Sequence, residues 1–167
     1  GEIMWKLIIS ISLIFFTGCE SIQKSNGFAR NESAKGMSWH MGSQSSVELV
    51  TKLDKVWSNK DFENMRIFFD DTATFEFAEG HKFKSFDGFV GHIKKQLGDQ
   101  DASWTYDYAV AVDLAPGEGG DWVNAGFTSD VSESKEDTSK IFYNEWYYIV
   151  DGKIRYWSQS RQIILDE

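Results

Sequence analysis

The apolar positions change period along the chain. From Ser45 they recur every three or four residues: Leu49, Val50, Leu53, Val56 and Trp57 share one face, which predicts an amphipathic helix. Ser45, with Glu48 three residues later, fits a capping box at its start. Asn59-Lys60 breaks this helix. Asp61 caps a second, with Phe62, Met65 and Phe69 on one face and Asp70-Asp71 at its end. The period then shortens to two. Over Thr72 to Ala78, Ala73, Phe75 and Phe77 alternate with polar residues, which predicts a strand with one buried face. Glu79-Gly80 turns the chain into a short return strand at His81 to Lys84. Ser85 caps a third helix whose apolar stripe is Phe86, Phe89, Val90, Ile93 and Leu97, with Gly98 in the position of a left-handed C-terminal cap.

After Gly98 the pattern is that of sheet. Ala102 to Leu114 sets Trp104, Tyr106, Tyr108, Val110 and Val112 against Ser103, Thr105, Asp107, Ala109 and Ala111. A loop at Pro116 to Gly120, a strand at Asp121 to Val131 and a charged, serine-rich loop at Ser132 to Ser139 follow. The chain then runs from Ile141 to Ile163 as two aromatic and β-branched segments divided by Asp151-Gly152, the strongest local signal for a β-hairpin. The order α-α-β-β-α-β-β-β-β, with helices early and sequential strands late, predicts an α+β fold.

A different pattern precedes the domain. Lys6 stands before an apolar run, Leu7 to Phe16, which has the length of a secretory signal core and is too short to span a bilayer. It ends Phe16-Thr17-Gly18-Cys19. Small residues before a cysteine resemble the lipobox of bacterial lipoproteins, with Phe16 and Thr17 departing from its usual residues. That resemblance implies cleavage before Cys19, lipidation of its thiol, and an exported protein anchored to a bacterial envelope membrane. Cys19 is the one cysteine of the chain, so it has no intrachain disulfide partner. The expected organisation is a signal peptide at 1–18, a lipidated cysteine and flexible tether at 19–44, and one domain at 45–167. Within the tether, Met37, Trp39 and Met41 are the residues able to fold back onto the domain.

Composition narrows the partners. At 167 residues with 41% hydrophobic and 16% aromatic residues, the chain can bury a core. A net charge of −9 argues against nucleic acid, whose phosphates require a basic face. The three histidines, His40, His81 and His92, have no ligand spacing, so no metal site and no cofactor is expected. Nothing in the chain matches a P-loop, a dinucleotide fingerprint or a nucleophile elbow.

From Ser45 to Arg161, the element order and the turn Asp151-Gly152-Lys153-Ile154 resemble the NTF2-like superfamily, which includes SnoaL-like cyclases and ketosteroid isomerases. The resemblance implies three N-terminal helices packed on a strongly curved antiparallel sheet, a cone with a pocket at its open end, and frequent homodimers formed through the sheet. It does not imply a single activity.

The hairpin carries the candidate chemistry. A two-residue turn pairs Val150 with Lys153, then Ile149 with Ile154, Tyr147 with Tyr156, Glu145 with Ser158 and Tyr143 with Ser160. If the Ile149 side is concave, Glu145 lies inside the cone between Tyr143 and Tyr147. Burial would raise its pKa, as a general acid or base requires. Relatives often carry a histidine and an aspartate on the last strand, where this chain has Tyr156-Trp157-Ser158-Gln159. A bulge after Ile154 would turn Trp157 and Gln159 inward in their place. Neither moves a proton at neutral pH, which favours binding over catalysis. By the same parity Arg161 is a candidate anion contact. His81 at the mouth and Asn124 on a middle strand complete the candidate ligand contacts. Three readings remain: a protein that binds a small, mostly apolar molecule; an isomerase, cyclase or dehydratase with Glu145 as acid–base; and a dimeric assembly module without a ligand.

Overall fold

The computed structural model describes residues 25–27, 35–97, 103–129 and 140–164. The signal peptide, Cys19, most of the tether, the Gly98 cap and the loop at 132–139 lie outside the described residues. The helices are α1 (Gln44–Ser58), α2 (Phe62–Met65), which continues as a 3₁₀ turn at Arg66–Phe68, and α3 (Phe86–Leu97). The strands are β1 (His40–Met41), β2 (Phe69–Glu76), β3 (Lys82–Phe83), β4 (Trp104–Asp113), β5 (Asp121–Ser129), β6 (Lys140–Val150) and β7 (Lys153–Ile164). They form one sheet in the order β1-β4-β5-β6-β7-β2-β3. The architecture is α+β, as the element order predicts. One pairing departs from the expected antiparallel sheet: β2 lies parallel to β7. The meander β4–β7 reverses direction at each strand, so its last strand runs the same way as β2, which joins it after a crossover through α3.

The start of α1 differs from the capping box expected at Ser45. Ser43 is the N-cap, and its Oγ accepts from the Ser46 amide. Asp121 at the head of β5 decides between the neighbouring serines. Its Oδ2 accepts from the Ser43 amide at 3.0 Å, from Ser46 Oγ at 2.6 Å and from Ser43 Oγ. Burial works against the Asp121 charge, and these serine donors together hold its pKa below the ordinary aspartate value. The second helix is also shorter than its apolar spacing predicts. Asp61 caps it as expected, but Phe69, Asp70 and Asp71 belong to β2. Asp70 Oδ1 accepts from the Thr72 amide and hydroxyl, which ties it to the strand rather than to a helix end.

The tether docks before it reaches the domain. Trp39 pairs with Asn26 through two backbone hydrogen bonds, and its ring lies 6.3 Å from that of Trp146 on the outer face of the sheet. His40–Met41 then adds a two-residue edge strand to β4. Part of the outer face on which a second subunit is expected is thus covered by the chain itself.

Two bulges decide which side chains enter the cone. In β4, Tyr106 pairs with Phe127 and Tyr108 with Gly126, leaving Asp107 over. Trp104 and Tyr106 therefore face inward with Ala109 and Ala111, while Tyr108 and Val110 turn to the outer face. The uninterrupted alternation expected from Trp104 to Val112 is corrected here. Gly126 permits the turn-out, because a Cβ there would lie 2.3 Å from Cε1 of the Tyr108 ring. In β7, Ile149 pairs with Ile154 and Tyr148 with Tyr156, leaving Arg155 over. The simple register, with Glu145 opposite Ser158, is replaced by the bulged one: Tyr147 faces Trp157, Glu145 faces Gln159 and Tyr143 faces Arg161. The turn itself has φ of 52° at Asp151 and 71° at Gly152, the positive pair that a tight hairpin turn requires.

The closed end of the cone is packed with aromatic rings. Phe75 stacks on Phe89 at 4.2 Å, and Trp157, fully buried, meets Phe77 at 5.0 Å and Phe89 at 5.1 Å. Among the described residues no helix is long and apolar enough to cross a membrane.

Candidate functional site

The inner face of β4–β7 does not close fully against α1 and α3. A cavity of about 390 Å³ remains, within the range of small-molecule sites. Its apolar wall comes from Trp57, Phe77, Ile93, Leu97, Trp104 and Phe127. Polar groups converge from the hairpin: Tyr143, Glu145 and Tyr147 from β6, and Gln159 and Arg161 from β7. The Arg155 bulge places the last two there. Without it they would face outward.

Glu145 is the centre of the site. It is 6% exposed, yet it borders the cavity. Its Oε2 accepts from the Trp157 indole at 2.9 Å and from the Tyr147 hydroxyl, and its Oε1 accepts from the Gln159 amide at 2.9 Å. Burial pushes its pKa above the ordinary glutamate value. The three donors oppose that rise, and nearby Asp54 adds to it. The Tyr147 hydroxyl is driven well above the usual tyrosine value by its own burial and by the adjacent carboxylate. Tyr147 therefore donates to Glu145 and stays neutral.

Asp54 is a second carboxyl on the cavity wall, accepting from the Trp104 indole at 2.8 Å. Burial raises its pKa too, against the Trp104 hydrogen bond and the charge of Lys55. It is not among the residues expected from the sequence, although a signal is present there. Asp54 lies four residues after Val50 and three before Trp57, a carboxyl inside the apolar stripe of α1.

The remaining candidates divide. Tyr143 is half-buried at the wall. Burial raises its pKa, partly offset by Arg161. Arg161 reaches the mouth, where it pairs with Glu79 of the β2–β3 turn at 3.2 Å. Trp157 is not a wall residue. It lies behind Glu145 in the core and positions the carboxylate. Asn124 is corrected to the outer face, where it bonds Tyr108, Asn144 and the Glu145 carbonyl. His81 is exposed and does not line the cavity. Its ring lies 4.7 Å from that of His92. His92, expected as a solvated helix residue, instead packs on Phe77 at 4.4 Å. Burial and the neighbouring His81 hold its pKa down. Among the described residues no cluster of side chains could hold a metal ion.

No protein-family model and no curated protein matches the chain. Solved structures do. A candidate ketosteroid isomerase from Kribbella flavida superposes with a TM-score of 0.58 at 8% identity, over 76% of this chain and 84% of its own. An NTF2-like protein of unknown function from Burkholderia xenovorans gives 0.56 at 12% identity, over 74% and 88%. The chain has the NTF2-like fold. An LEH-like epoxide hydrolase from M. tuberculosis shares this NTF2-like architecture, with a TM-score of 0.53 at 12% identity over 72% of this chain and 84% of its own. Identities this low establish the fold and leave the chemistry to the cavity itself.

Proposed function

We propose that this NTF2-like domain binds a small, mostly apolar molecule in its cone, oriented by Glu145 and Gln159. The observation that carries this reading is a buried carboxylate bordering an open, aromatic-walled cavity. Trp157 and Tyr147 fix Glu145 Oε2, and Gln159 holds Oε1 from one side. A carboxylate oxygen has room for a second hydrogen bond, so a ligand hydroxyl or amine is the natural complement. An assembly module without a ligand would fill its cone with its own side chains, and this cone is open.

The test uses N-phenyl-1-naphthylamine, a neutral probe whose emission rises in apolar pockets. The full chain is expected to give a saturable rise, and Leu97→Trp, which fills the wall, to weaken binding about tenfold or more. No saturable rise, or equal binding by the variant, would remove the reading.

Acid–base catalysis by Glu145 is the second reading, favoured by its raised pKa and by Asp54 in the same cavity. We also propose that the chain is exported and held at a bacterial envelope membrane through a lipid on Cys19. The support is the Lys6 charge, the apolar run and the Gly18-Cys19 junction. Radioactive palmitate is expected to label the chain in a bacterial host and not Cys19→Ala. Equal labelling of both would end that proposal.

A further inference from the structure

The charges around the cavity do not balance. Among the described residues its charged lining is Asp54, Glu79, Glu145 and Arg161, three acids and one base. Arg161 and Glu79 pair with each other at the mouth. That leaves Asp54, which is half-buried, and Glu145, which is buried. Among the described residues, every hydrogen bond reaching these two carboxyls comes from an uncharged donor: the indoles of Trp104 and Trp157, the hydroxyl of Tyr147 and the amide of Gln159. The charged group bearing on Glu145 is another anion, Asp54. Lys55, whose charge reaches Asp54, is exposed beside it on α1.

A buried carboxylate is normally matched by a cation, because uncharged donors recover only part of its lost hydration. Here no matching cation comes from the described residues. The walls suit a cation as well. Trp57, Trp104, Phe77, Phe127 and Tyr143 line the same space, and an organic ammonium is attracted to aromatic faces, more so when desolvated. We infer that the natural ligand of the cavity is an amphiphilic organic cation, an apolar body carrying one amine, whose ammonium group is received between Glu145 and Asp54. The inference rests on the pocket reading above and names the chemical class that the pocket selects. A neutral alcohol of the same shape keeps the apolar contacts and one hydrogen bond but loses the charge match. A carboxylate of the same shape meets two like charges.

Three molecules with one skeleton separate these terms: 4-phenylbutylamine, 4-phenylbutan-1-ol and 4-phenylbutanoate, titrated calorimetrically into the full chain at pH 7.5. The amine is expected to bind about tenfold or more tighter than the alcohol, and the carboxylate weakest. Glu145→Gln and Asp54→Asn should each cut the ratio of amine to alcohol affinity by about threefold or more, whatever either does to the affinity for the alcohol itself, with circular dichroism reporting that both variants are folded. If the alcohol matches the amine, the cation inference fails and the pocket reading stands. The same holds if the carboxylate binds best, because Arg161 would then set the selectivity. If none of the three binds to millimolar concentration, both fail. An advantage for the amine that survives in both variants would place the cation elsewhere and overturn the inference.

Discussion

Trp157→Ala is expected to lower folding stability by about 3–5 kcal/mol, the cost of deleting a large ring from a packed core. Trp157 is fully buried, with the ring centres of Phe77, Phe89 and Trp57 within 6.0 Å of its own. The substitution also removes the indole donor from Glu145 Oε2. Trp157→Phe separates the two contributions. It retains most of the ring contacts and loses the hydrogen bond to a charged group, expected to cost about 1.5–3 kcal/mol. The same variant should drive the Glu145 pKa further up, because one of the three opposing donors has gone. Urea unfolding measures both. A loss below about 1 kcal/mol for Trp157→Ala would mean that the ring is not the keystone of this core.

The second large effect is the Glu145 contribution to the pH dependence of stability, which Glu145→Gln removes. The carboxyl of Glu145 is held above its ordinary value of 4.5 by burial, against its three hydrogen bonds. Between 4.5 and that raised value the folded chain keeps a proton that the unfolded chain has released. Stability therefore falls as pH rises through this window, with a slope of up to about 1.4 kcal/mol per pH unit. Above the folded pKa both states are ionised and the penalty is complete. Glu145→Gln has no proton to lose at that position, and Gln159 can turn its amide so that its oxygen accepts from the new side chain. The stability of the variant minus that of the native chain should thus grow with pH across the window and then level off. Asp121, lowered by its serine donors, titrates in both proteins and cancels in the difference, whereas Asp54, whose charge raises the Glu145 pKa, is relieved of that repulsion in the variant and adds to the difference with the same sign. A difference that is flat from pH 4 to 8 would show that Glu145 is not desolvated.

Much of this arrangement was legible in the sequence because local signals and long-range packing agree. Asp151-Gly152 fixes the hairpin, and Ser85 and Asp61 cap the helices they precede. The departures arise where tertiary contacts choose between local options of similar energy. Three serines compete to cap α1, and Asp121, 78 residues beyond Ser43, selects that one. Alternation in β4 is regular on paper, yet Asp107 is left over because Tyr108 finds room above Gly126. The bulge at Arg155 was foreseeable only as a condition, since no residue there demands it. Arg155 turns outward, where it lies 3.6 Å from Asp70 and 3.8 Å from Asp151, exposed pairs of little energy. Its consequence is larger than its energy, because it brings Trp157 and Gln159 to the carboxyl of Glu145. Asp54 escapes for a different reason: its place in the α1 stripe marks it, but a helical carboxyl next to a lysine has equally the pattern of a solvated surface pair.

The most direct test of a ligand cavity centred on Glu145 is the carbon-13 resonance of its side-chain carboxyl, assigned by its loss in Glu145→Gln. In the free protein it is expected to titrate above the ordinary glutamate range, and saturating 4-phenylbutan-1-ol should shift it as the hydroxyl reaches the carboxylate. A resonance that titrates like an exposed glutamate, or that stays in place while the alcohol binds, would contradict the account.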